Sequence, residues 1–203
     1  MGSEGKRAHA ADPRCRLLKR GTEGDRIGLK WALLALVSVA VAGLLIVAFR
    51  AWGPYSVGFA FAAVWLPMTW LGTASRVVLL RLPECCHRLR TFERDGRLYE
   101  RLGVRVFKHL LRRGPLSAFN PGLHLPEDRS PERLAALETR MREAEASHGI
   151  LFVLTLGLVV NAAVRGFWSA AAWTLLFNVL VNGFPVMLQR YNRALLVRRF
   201  GPL

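Results

Sequence analysis

Glu145 and His148 are three residues apart, so on a helix they share a face. They sit where a charged segment gives way to the apolar run 150–164. A carboxylate beside an imidazole fixes its tautomer and raises its basicity, which suits a general base acting on a hydroxyl. Further on, Asn178, Asn182, Pro185 and Gln189 fall at offsets of 0, 4, 7 and 11. At about 100° per residue these positions lie on one helix face, and Asn192 and Arg193 extend it. Amides are costly in lipid, so such a row must face protein, water or a bound polar group. It reads either as interhelical hydrogen-bond glue or as one wall of a site that ends in the basic string Gln189-Arg190-Tyr191-Asn192-Arg193.

Other chemistries find little support. Glu-x-x-His occurs at Glu84–His87 and at Glu145–His148, but a di-metal bundle also needs two further carboxylates from facing helices, and no metal site is expected. Cys15 and the adjacent Cys85 and Cys86 match no zinc or disulfide spacing and read as free thiols. His9, His87, His109 and His124 are scattered through polar or amphipathic stretches and read as solvated. No nucleophile elbow and no phosphate-binding glycine loop is present.

The elements that must position these residues are membrane helices. The chain of 203 residues is 52% hydrophobic yet carries a net charge of +15. Its apolar residues come in long blocks with the charges between them, so the basic excess reads as topology rather than nucleic-acid binding. Residues 1–30 read as a disordered basic tail. Residues 31–80 read as a first transmembrane hairpin, with spans Trp31–Phe49 and within Ser56–Leu80, and with Pro67 as a kink. Residues 81–149 form a basic amphipathic region. In its 97–113 segment Leu98, Leu102, Val106 and Leu110 make an apolar stripe suited to the headgroup plane, with Gly103 weakening or bending the helix. A loop over 114–131 leads to a helix starting at Ser130 and Pro131, which runs unbroken into the third span. Residues 150–203 form the second hairpin. Of the 29 Lys and Arg residues, only Arg50 and Arg165 fall in the two short turns. The positive-inside rule therefore places both termini and the long loop in the cytoplasm. The expected fold class is an all-α membrane protein of four transmembrane helices in two hairpins.

Several ordered strings carry a family resemblance. They are Gly96-Arg97-Leu98-Tyr99-Glu100, Leu102-Gly103-Val104-Arg105 with Phe107-Lys108, Phe119-Asn120-Pro121, Glu138-Thr139-Arg140, Glu145 through His148, Asn182-Gly183-Phe184-Pro185 and the string 189–193. Together they resemble the bacterial glycosyl-4,4'-diaponeurosporenoate acyltransferase family over roughly residues 90–195. The resemblance implies a small enzyme of the bacterial cell membrane that esterifies a sugar hydroxyl of a glycosylated carotenoid with a fatty acyl chain.

Acyl transfer of that kind needs a base, donors for the developing oxyanion and a slot for the chain. His148 positioned by Glu145 suits the base. Asn182, Gln189 and Asn192 suit the oxyanion and substrate. Arg190, Arg193, Arg105 and Lys108 suit the phosphates of an acyl-CoA or acyl-carrier-protein co-substrate. No tightly bound cofactor is expected. The partners are a lipid substrate and anionic headgroups, not nucleic acid. The competing reading is a non-catalytic membrane scaffold or lipid-binding protein.

Overall fold

A computed structural model describes residues 13–75, 77, 78, 82–113 and 129–201, with side chains from Ile27 onward. Most of these residues are helical, and no strand occurs among them. Four helices are long and apolar enough to cross a membrane. They are Ile27–Trp52 within α1 (Pro13–Trp52), α2 (Val57–Ala74), α6 (Pro131–Val164) and the helix Trp168–Phe200. The chain is thus a multi-pass membrane protein. Large apolar side chains such as Leu36, Val39 and Val47 stand exposed along α1, as lipid contact requires.

Local chemistry explains where these helices stop. Gly53 takes a positive φ after α1, and Ser56 then caps α2 by accepting a hydrogen bond from the Phe59 N–H at 3.1 Å. Tyr55, in this turn, stacks on Phe167 of the turn after α6 at 3.7 Å between ring centres, so both short turns lie at one end of the bundle. α6 starts with Pro131 in its first turn and runs 34 residues without a break, as expected. Small Ala162, Ala170 and Ala171 let α6 and α7 (Trp168–Asn178) pack closely. Pro185 has no N–H to offer the carbonyl of Val181. The chain re-registers there into a π-helical turn, Val179–Gly183, in which the Phe184 N–H donates to the Val179 carbonyl five residues back. α8 (Phe184–Phe200) continues the same helix.

Between the second and third spans lie α3 (Glu84–His87), a 3-10 turn (Thr91–Glu93), α4 (Arg97–Arg101) and α5 (Val104–Arg113). Gly96 starts α4 at φ +75°, and a Cβ there would lie 3.1 Å from the Tyr191 ring, so backbone and packing both favour glycine.

Two expectations are corrected. α1 begins at Pro13, so the stretch expected to be disordered is helical from there on; no proline interrupts it before Gly53. The 97–113 segment is not one gently bent helix. Gly103, at φ +81°, separates α4 from α5 and turns a different face inward. Val104, Phe107 and Leu111 pack with Tyr99 against Leu188, Tyr191 and Phe184, while Leu102, Val106 and Leu110 of the expected stripe stay exposed on the other face, compatible with the headgroup plane. Arg76 and most of the 114–131 loop lie outside the described residues.

Candidate functional site

Two polar assemblies occupy the end of the bundle opposite the short turns. The upper one lies within the spans. Asn178 and Asn182 are fully buried. The Asn178 amide donates to the main-chain carbonyl of Phe152 on α6 at 3.0 Å. A carbonyl can only accept, so the Asn178 Nδ2 faces it and the Oδ1 faces Asn182. The Asn182 Nδ2 donates to that Oδ1 at 2.9 Å, which turns the Asn182 Oδ1 toward Nδ1 of His148 at 3.4 Å. A neutral His148 thus carries its proton on Nδ1, and Nε2 keeps a lone pair.

The lower assembly is a buried ion-pair cluster. Arg190 donates from Nη1 to Glu145 Oε1 at 2.6 Å and from Nη2 to Glu93 Oε2 at 2.7 Å. Its Nε reaches Glu93 Oε1 and the Tyr99 hydroxyl, and its remaining hydrogens reach the carbonyls of Cys86 and Arg88. Arg193 donates to the second oxygen of Glu145 at 2.8 Å and lies 3.5 Å from Glu138, which Arg142 also holds. Glu93 further accepts from the Tyr99 hydroxyl at 2.6 Å and from the Arg90 N–H at 2.7 Å. Burial alone would raise the Glu93 pKa, but the Arg190 guanidinium, the Tyr99 hydroxyl and the Arg90 N–H together hold it at about 2. The same burial and carboxylate push the Tyr99 hydroxyl well above its ordinary value. A cavity of about 1020 Å³ opens beside the cluster, lined by His87, Arg88, Arg142 and Arg193 among others.

These positions redistribute the roles read from the sequence. Glu145 and His148 share a helix face but do not meet. Glu145 is turned to Arg190, Arg193 and His87, whose Nδ1 lies 3.5 Å away, while His148 is turned to Asn182. The two α8 guanidiniums outcompete a ring one turn away on Glu145's own helix, since charge-assisted pairs are roughly twice as strong as neutral ones. Arg190 and Arg193 are correspondingly held by carboxylates, with Arg193 also on the wall of that cavity. Asn182 orients His148 instead of standing free as an oxyanion donor. Gln189 is buried, and its Oε1 has no partner among the described residues. Asn192 accepts from Lys108 Nζ at 2.7 Å, and Lys108 sits over the Tyr191 ring. Arg105 is exposed, 3.3 Å from Glu100.

Sequence reasoning missed His87, Glu93 and Tyr99. His87 is 4% exposed rather than solvated, carried inward by the four-residue α3. Tyr99 alone had a signal, its place in the 96–100 string.

A family model described as glycosyl-4,4'-diaponeurosporenoate acyltransferase matches residues 83–200. That stretch contains both assemblies and begins beside α3. No curated protein and no solved structure matches the chain.

Proposed function

Because the chain belongs to the glycosyl-4,4'-diaponeurosporenoate acyltransferase family, we propose that it esterifies a sugar hydroxyl of a glycosylated lipid, a glycosyl carotenoid by family, with a fatty acyl chain. The observation that carries the catalytic part is the relay from the Phe152 carbonyl through Asn178 and Asn182 to His148. It leaves Nε2 of His148 as a base at the level where α6 enters the apolar layer. There Nε2 takes the hydroxyl proton as the oxygen attacks the acyl thioester carbonyl. The C–O bond forms, the C–S bond breaks, and His148 returns the proton to the departing thiolate. Gln189 supplies an amide N–H to the developing oxyanion. Glu145 holds Arg190 and Arg193, and so fixes α8 relative to α6 beneath the base.

In this reading the four spans form two hairpins of a bacterial cell-membrane protein. The charge distribution supports placing the basic loop and both termini in the cytoplasm, where acyl-CoA and acyl-carrier protein are found. Replacing His148 by Ala should lower ester formation about 10²- to 10⁴-fold. The assay is thioester-dependent acylation of a glycosylated acceptor in vesicles carrying equal amounts of inserted protein. Wild-type rates would remove His148 from the mechanism.

The interhelical bond from Asn178 to Phe152 also fits a second reading, a scaffold in which the amide row is packing glue. In that case the lipids of cells with and without the protein would be identical.

A further inference from the structure

The cations of the 83–200 region fall into two groups. Arg142, Arg190 and Arg193 are each paired with carboxylates. Lys108 and Arg112 of α5, with Arg198 and Arg199 of α8, line a second cavity of about 630 Å³. None of these four has a carboxylate partner among the described residues. Lys108 donates to the neutral Asn192 amide, Arg198 reaches the main-chain carbonyl of Asp95, and Arg199 lies over the Phe200 ring. Four like charges facing one space repel one another, and an anion in that space would relieve the repulsion. Burial, then the nearby Arg112 charge, lowers the Lys108 pKa from its ordinary value, as a half-buried ammonium without a counter-ion should show. Apart from Asn192, the rest of the wall is apolar, with Leu137, Met141 and Leu195 contributing.

We propose that this cavity binds the phosphate of an amphiphile, with the four cations on the phosphate and the apolar wall beside its chain. Resting on the acyltransferase reading, that amphiphile is the acyl donor. From Asn182 to Leu195 the helix rises about 20 Å at 1.5 Å per residue. A phosphate held here and a thioester beside His148 are therefore joined by a long extended linker, which a phosphopantetheine arm provides. An anionic lipid headgroup offers the same phosphate chemistry, so the test must separate the two sources.

The experiment uses full-length protein in nanodiscs and does not depend on turnover. A non-hydrolysable acyl-CoA thioether is titrated into nanodiscs of neutral phosphatidylcholine. Retention of phosphatidylglycerol is measured separately in mixed nanodiscs. Arg112→Gln with Arg199→Gln removes two exposed charges from the cavity. Arg97→Gln with Arg101→Gln removes two exposed charges that do not line it, keeping net charge equal. The cavity pair should weaken thioether binding by about tenfold or more and the control pair by less than about twofold, since each charge-assisted contact is worth more than a kcal/mol. Loss of phosphatidylglycerol retention with unchanged thioether binding would identify a headgroup as the source and keep the phosphate site. Equal behaviour of the two pairs in both titrations would overturn the proposal. A failure of ester formation with thioether binding intact would count against the acyltransferase reading and leave the site standing.

Discussion

α1 meets the rest of the chain mainly through apolar side chains on α2, whereas the segment from Glu84 to Arg101 is tied to α6 and α8 by buried charge. On the first side, Leu34 packs with Leu71 and Ala74, and one side-chain hydrogen bond crosses between the helices, from Trp70 to Ser38. On the second, two guanidiniums hold two carboxylates from opposite sides of the cluster. The difference reflects solvent. A lipid-facing helix needs no more than packing to be stable in a bilayer, because its backbone is already satisfied. A short polar segment lying against the bundle's end has no such medium, so charge pairing holds it in register. The family match begins at residue 83, where the second regime begins.

Breaking Arg190 should separate the two regimes most clearly. Arg190→Ala leaves Glu93 and Glu145 with fewer counter-charges in a buried setting and frees the carbonyls of Cys86 and Arg88. Removing one partner of a buried pair costs about 3–5 kcal/mol. The 84–101 segment should then become protease-sensitive, and Cys85 and Cys86 should react faster with a thiol reagent. The four spans should remain inserted. If the segment stayed protected, apolar contacts of Tyr99 and Val104 would be its real anchor.

How far the sequence reached follows the same division. The spans, the unbroken α6 and the single helix face of the amide row all rest on hydrophobic runs and periodicity, which are local signals. The pairing of Glu145 was not legible in them. A three-residue spacing shows that two side chains share a face, but not which groups arrive from elsewhere. Glu145's partners lie 45 and 48 residues away, and Arg190 reaches Glu93 across 97. His87 misled for a different reason. Its flanks are polar, and only the fold of α3 against the cluster buries it. Leu102, Val106 and Leu110 stay exposed, as a stripe facing the headgroup plane must, while the full break at Gly103 and the packing of the opposite face were not legible.

A gentler perturbation of the charged side is Glu93→Gln, read against pH. Glu93 titrates at about 2 when folded, below its ordinary 4.5. A depressed carboxyl stabilises fully above its unfolded value, and that contribution fades as pH falls through the folded one. The variant should therefore melt below wild type at neutral pH. The gap should shrink as pH falls from about 4.5 toward 2, where wild-type Glu93 becomes protonated. Detergent-solubilised melting at several pH values checks this. A gap independent of pH would mean that shape, rather than charge, is what Glu93 supplies.

The smallest effect belongs to the apolar side. Trp70 donates from Nε1 to Ser38 Oγ at 2.8 Å, and that hydroxyl in turn donates to the Leu34 carbonyl. Trp70→Phe removes the donor and keeps most of the ring. Interhelical hydrogen bonds in membranes average about 0.6 kcal/mol, because the separated helices find other partners. Ser38 also keeps its own bond to α1, so nothing is left stranded. The melting midpoint should move little, and ester formation should be unchanged, since the relay residues lie on α6, α7 and the π-helical turn. A large loss of activity would mean that α1 and α2 shape the site as well as cover it. The boundary between the two regimes would then have to be redrawn upstream of residue 83.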